Sequence, residues 1–334
     1  MTAPLSLGHP SLGGCRDPVG PTVVEYPSGV SRPVSSPPLS RVLRAGERSF
    51  SFEFFPPKTD AGEQQLWQTL RELEALHPTF VSVTYGAGGT TRDRTVRITR
   101  QIGQQTTVVP VAHLTCVGAD VTELRSVIGE YADAGITNVL ALRGDPPGGL
   151  GQPWVPHEGG LDHAVELVEL LKELGHFTVG VAAFPEGHPE ATDLDADVAV
   201  LRAKQDAGAD FAVTQFFFDA ADYFRLVERA TAAGVTIPII PGIMPVTNVK
   251  QIERFAALSG AAFPEGLARR FHQVAHDPDD VAKLGVSVAT EMCQKLLAGE
   301  APGLHFYTLN RSTATREIYA ALGLHHRLPS GVTA

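Results

Sequence analysis

Cysteine is scarce: three in 334 residues, Cys15, Cys116 and Cys293, far apart and odd in number. They offer no disulfide frame, which points to a reducing compartment. Basic residues are also in short supply, 27 against 37 acidic ones, for a formal net charge of -10. A nucleic-acid partner wants a basic face for its phosphates, so the balance argues against that class. No apolar run approaches the length that spans a bilayer. The first residues lack the basic stretch and apolar core of a secretory signal. The expectation is a cytoplasmic protein with neither a membrane nor a nucleic-acid partner.

What is present supports a large core, since 43% of residues are hydrophobic. Residues 1–45 are rich in Pro, Ser and Gly with almost no apolar periodicity, and read as a disordered extension. A barrel domain is expected over 46–325 and a flexible tail over 326–334. From Ser49 one unit recurs: a short β-rich run, then an amphipathic helical stretch. The runs are Ser49–Phe55, Phe80–Tyr85, Val108–Leu114, Asn138–Leu142, Thr178–Ala183, Phe211–Phe217, Ile237–Ile243 and His305–Leu309. Gly135, Gly175, Gly208 and Gly234 each fall between a helical stretch and the next run, where a left-handed helix end suits glycine. Alternating strands and helices imply parallel pairing. Eight units favour a closed (β/α)8 TIM barrel, with two extra helices, around Glu265–His272 and Val281–Leu297, before the eighth strand. An open doubly wound sheet is the alternative, but its Gly-x-Gly-x-x-Gly fingerprint is missing after the first strand.

In such a barrel the chemistry gathers at the C-terminal ends of the strands. The first strand ends at Phe52-Glu53-Phe54-Phe55-Pro56-Pro57, where two prolines stop the ladder. Glu53 sits between large apolar neighbours, so desolvation is expected to raise its pKa and make it a proton donor. The other ends are rich in glycine and polar residues, as in Thr84-Tyr85-Gly86-Ala87-Gly88 and Arg143-Gly144-Asp145. Arg143 and the aromatics Phe216, Phe217 and Phe218 suit an anionic, aromatic ligand. His113 and His188 are too few for a zinc site. No Ser-His-Asp or Cys-His arrangement stands out, and Cys116 reads as a buried, inert thiol. The residues by themselves point to a barrel enzyme with one buried acid, and name no reaction.

At these strand ends the chain resembles the methylenetetrahydrofolate reductases of the bacterial catalytic-domain type. The likeness rests on the ordered set Phe52–Pro57, Val83–Gly88, Ala112–Cys116, Leu142–Asp145, Glu186–Glu190, Thr214–Phe218, Ile240–Pro245 and His305–Arg311. It implies reduction of 5,10-methylenetetrahydrofolate to 5-methyltetrahydrofolate by NADH or NADPH, through FAD bound without a dinucleotide fingerprint. The two substrates would take turns at one flavin face. By the same resemblance Glu53 is the acid that opens the folate ring. Asp145 would stabilise the developing iminium and temper the flavin. Gln215 would bond the pterin, while Gln251, Phe255 and Arg311 would hold the rest of the folate. Cofactor contacts would come from Thr84, Tyr85, Ala87, His113, Arg143, Gly144, Asp145, Ala164, Phe184, His188, Ala191, Asp197 and Lys204, with Arg143 and Lys204 against the pyrophosphate. A homo-oligomer is usual in the family. Three positions depart from its pattern: Phe184 and His163 stand where tyrosine is common, and Ala203 where a basic residue is. The alternatives they raise are a flavin-independent reductase with direct hydride transfer and a non-catalytic folate-binding barrel.

Overall fold

The computed structural model describes residues 38–85, 92–146 and 152–324. Eight strands run β1 (Ser49–Phe54), β2 (Phe80–Val83), β3 (Pro110–Thr115), β4 (Asn138–Leu142), β5 (Thr178–Ala183), β6 (Phe211–Phe216), β7 (Ile239–Ile243) and β8 (Gly303–Tyr307). They pair in chain order, all in parallel, and β8 closes on β1 through Ser51↔His305 and Glu53↔Tyr307. This is the expected (β/α)8 barrel. Helices α2 (Asp60–Glu74), α3 (Arg92–Gln105), α4 (Val121–Asp133), α5 (Ala164–Leu174), α6 (Leu194–Asp206), α7 (Ala220–Ala232) and α8 (Val249–Ser259) follow the strands in turn. The extra helices are α9 (Glu265–Val274) and α10 (Pro278–Ala298), and α11 (Thr313–Ala321) ends the described chain.

Local chemistry sets the starts of these helices. Thr59, Asp193 and Asn248 each accept a backbone N–H of the first turn, and Asp120 forms a capping box with Glu123. At the helix ends Gly135, Gly208 and Gly234 do take positive φ, but Gly175 is extended at 176°. The eighth strand stops earlier than expected. Leu309 and Asn310 adopt φ of 50° and 58°, which turns the chain out of the sheet. Asn310 then brackets the end of β1, accepting from the Phe55 N–H and donating to its carbonyl, both at 2.8 Å.

Alternation along the strands separates two cores. Phe50, Phe52 and Phe306 face outward and pack with Tyr319 of α11. Inside the barrel, Phe80, Val111, Leu140, Phe211, Val213 and Ile240 fill the base. Gly180 makes room there, since a Cβ on it would lie 2.4 Å from the Phe211 ring. The base is closed by a short helix α1 (Leu39–Arg44), whose Leu39 and Leu43, one turn apart, are buried in that cluster. Arg44 reaches Asp210 at 3.4 Å, and Lys172 grips the same carboxylate at 2.7 Å. This corrects the expected extent of the extension over residues 1–45. Composition hid a six-residue helix whose two leucines have a place to go only once the barrel exists. The rest of that segment, 1–37, and the expected tail beyond residue 325 lie outside the described residues.

Candidate active site

Glu53 ends β1 with its side chain turned into the barrel mouth. It is only 6% exposed. Oε2 accepts from the Ser82 hydroxyl at 3.3 Å and lies 3.4 Å from Nε2 of His305. His113 Nε2 is also 3.4 Å away, but off-line for a hydrogen bond. Burial pushes the carboxyl up. The charge of His113, with the hydrogen bond and charge of His305, outweighs that and holds it down at about 2. The expectation of a raised pKa is therefore corrected. Phe52 and Phe54 are neighbours in sequence, but a strand sends alternate side chains to opposite faces, so they see the helices while Glu53 sees two imidazoles.

His305 completes this network and was not singled out by its position at the start of the last β-rich run. It is fully buried, its Nδ1 2.8 Å from Ser51 Oγ and its ring stacked on Phe80 at 5.8 Å. A serine hydroxyl donating to Nδ1 leaves the Nε2 proton for Glu53. Tyr307 stands one inward position further along β8 and donates to the Thr214 carbonyl at 2.7 Å. The signal was available: in His305-Phe306-Tyr307 the first and third residues share a face, and Phe306 takes the outer one.

Across the mouth, β4, β5 and α6 bring a second charged group together. Arg143 sits over the Trp154 ring at 4.6 Å and forms two bonds to Glu190. His188 packs edge-on against Phe184 at 4.8 Å. Its imidazole is pushed below the ordinary range by burial and then by the charge of Arg143. Glu190, Lys204 and Asp145 also act on it, which puts these groups within electrostatic reach of one another. Lys204 is buried and donates to the Ala182 carbonyl at 2.9 Å; desolvation lowers it to about 8. Asp197, whose charge acts on Lys204, is itself pushed up by burial. Asp145 is exposed, Ala164 opens α5, and the Ala191 N–H donates to the His188 carbonyl. Thr84 accepts from Thr95 through its carbonyl, and Tyr85 packs against the main core. Ala87 lies outside the described residues.

Of the residues expected to touch folate, Gln215 ends β6 half-buried, its Oε1 accepting from the Phe216 N–H at 3.0 Å. It lines an open cleft with Phe184, Gly187, Phe216 and Gly260. Phe255 packs against the cluster that contains Phe216 and Phe271. Gln251 is exposed on α8, and Arg311 is exposed just after the turn at Asn310. Cys116 is buried and its thiol is pushed up to about 12, chiefly by desolvation, so it is no nucleophile. Among the described residues no group of His, Cys, Asp and Glu could hold a metal ion, and no helix is long and apolar enough to cross a membrane.

The family model for methylenetetrahydrofolate reductase matches residues 39–323. The chain belongs to the methylenetetrahydrofolate reductase family. The 5,10-methylenetetrahydrofolate reductase of Escherichia coli (strain K12) is 42% identical over 279 residues, 84% of this chain and 92% of that protein. The enzyme of the same description from Pectobacterium carotovorum is also 42% identical, over 84% of this chain and 91% of that protein. Arabidopsis thaliana methylenetetrahydrofolate reductase (NADH) 1 is 37% identical over 86% of this chain, which spans 50% of it. A solved Clostridium thermocellum protein, described as binding two copies of 5-methyl-5,6,7,8-tetrahydrofolic acid, shares the fold at a TM-score of 0.56. It is 12% identical, over 86% of this chain and 99% of that one. Membership makes the chain a folate-dependent oxidoreductase of one-carbon metabolism.

Proposed function

We propose that the chain reduces 5,10-methylenetetrahydrofolate to 5-methyltetrahydrofolate with electrons from NADH or NADPH, through FAD, in two successive half-reactions that share one site. The product would supply methyl groups for methionine synthesis. The observation that carries this reading is Glu53, an acid buried at the barrel mouth against two imidazoles.

The rim residues fit FAD. Lys204 gives one of its three protons to Ala182, leaving two for an anion. Gly144 stands at φ +86°, where a Cβ would lie 2.7 Å from Val117, so only glycine brings the backbone this close. Thr115 Oγ1, beside it, and His113 Nε2 are buried without a hydrogen-bond partner. In this reading Lys204 and Arg143 face the diphosphate, and His113, His188 and the Gly144 backbone line the rest. Bound FAD would carry hydride from the nicotinamide to the folate.

The protein's part is to place and move one proton. His113, when its imidazole is doubly protonated, holds a proton on Nε2 at 3.4 Å from Glu53 Oε2. Passed there, it leaves a neutral imidazole and a neutral carboxylic acid. Glu53 then gives it to a nitrogen of the folate five-membered ring. The ring opens to an iminium, and Glu53 is left as a carboxylate. Asp145 carries a negative charge at the mouth that favours this cation. Gln215 offers an amide donor and acceptor to the pterin edge, and Phe255 an apolar face to the benzoyl ring.

The test is the visible spectrum of the purified protein, taken anaerobically. A flavin spectrum that bleaches with NADH and returns on addition of methylenetetrahydrofolate is expected. A colourless protein that reduces the folate without added FAD would overturn the flavin step and favour direct hydride transfer.

A further inference from the structure

Arg143 follows β4 among the residues assigned above to FAD, yet the fork of its guanidinium is already taken. Nη1 donates to Glu190 Oε2 at 2.6 Å and Nη2 to Oε1 at 3.0 Å. This is the two-pronged geometry with which arginine also grips a phosphate. One face of the same guanidinium lies over Trp154, so the cation is held by its face and by its edge. Its side chain is 17% exposed and that of Glu190 45%. Glu190 stands on the loop after β5, three residues past Gly187 at φ +86°, and its N–H donates to His188 Nδ1 at 3.1 Å. The Arg143 hydrogen bonds hold its carboxyl below the usual carboxylate range, so it is an anion at neutral pH.

We propose that Glu190 competes with the diphosphate of the cofactor for Arg143 and so sets how tightly the chain holds FAD, an inference that rests on the flavin reading above. A carboxylate and a phosphate present the same pair of oxygens, and one fork cannot serve both. Binding is then an exchange of salt bridges: Arg143 keeps its stack on Trp154 while Glu190 turns out to solvent, where it is already half exposed. Lys204 and His188, the other cationic and dipolar groups at this rim, have no such occupant: Lys204 bonds only a carbonyl, and His188 accepts a backbone N–H. Arg143 is thus the place where the cofactor must displace an anion of the chain itself.

The experiment is a titration of the apoprotein with FAD, followed by flavin fluorescence, for the parent, Glu190→Gln, Arg143→Ala and the double variant. Glu190→Gln keeps the size of the side chain and removes the charge. It is expected to bind FAD about tenfold tighter near neutral pH and low salt, a gain that shrinks as salt rises. The gain should vanish in the Arg143→Ala background. Unchanged or weaker binding by Glu190→Gln overturns the inference, since Glu190 would then merely orient Arg143. An equal gain without Arg143 also overturns it, as a general charge effect. If the parent binds FAD and Glu190→Gln does not differ, this inference alone fails. If none of the four proteins binds FAD, the flavin reading fails with it. A partly exposed ion pair of this kind contributes little to stability, so the variants are expected to fold, which thermal unfolding checks.

Discussion

The base and the mouth of the barrel are built by the same strands, two residues apart. Phe80, Val111, Val213 and Ile240 point inward at the base. The next inward positions on those strands are Ser82, His113, Gln215 and Gly242. The base is apolar and plugged by Leu39 and Leu43. The mouth carries a buried carboxylate, two imidazoles and a hydroxyl, Thr115 Oγ1, that bonds nothing. Depth along the strand therefore divides the labour. The closed end removes apolar surface from water, while the open end keeps polar groups whose burial costs stability.

The largest expected effect lies at the base. Phe211→Ala empties the space that Gly180 and Leu140 shape and should cost about 3–5 kcal/mol in urea unfolding. Folate reduction per folded molecule should stay within about twofold, and a large loss there would break the division. At the mouth the pattern reverses. Glu53→Gln should lower folate reduction by roughly two decades in stopped flow, the scale of a lost general acid, while reduction of the flavin by NADH is spared. If both half-reactions fall together, the role given to Glu53 is wrong. The same variant tests the sign of its pKa. A carboxyl held at about 2 against its ordinary 4.5 stabilises the fold above pH 4.5, and that contribution fades as pH falls toward 2. In Glu53→Gln this part of the acid limb should flatten.

A smaller effect sharpens the base. Leu43→Ala should cost about 2 kcal/mol if α1 is part of the core. A change within about 0.5 kcal/mol would return the segment to the periphery. The smallest effect concerns Lys204. Burial lowers it to about 8, so it loses its charge as pH rises through that value. FAD affinity of the parent should then fall up to about tenfold between neutral pH and pH about 9.5, while Lys204→Arg, which stays charged, shows a flatter curve. The fold itself gains stability over the same rise, because the unfolded chain keeps this proton up to its ordinary 10.5. An unchanged pH slope in Lys204→Arg would remove Lys204 from the anion site.

Much of the architecture was legible because periodicity reports burial directly. The runs at Asn138–Leu142 and Thr178–Ala183 became strands with those same bounds. The helices before the last strand were legible for the same reason. α1 was not, because six residues in a segment rich in proline and serine carry no period of their own. In the site, Glu53 was found from the prolines that follow it. Trp154 and Glu190 carry no signal of pairing with Arg143, since they arrive on separate loops.

The sequence by itself determined the barrel and the place of an acid at the end of its first strand. Alternation and proline are local properties, and a chain expresses them wherever it folds. Only the tertiary structure decided the company that acid keeps. Ser82 is 29 residues away in sequence and His305 is 252, yet both reach the same carboxylate oxygen. Electrostatic interaction falls with distance in space and not along the chain. The phenylalanines beside Glu53 in sequence therefore leave its charge alone, and two remote histidines set it.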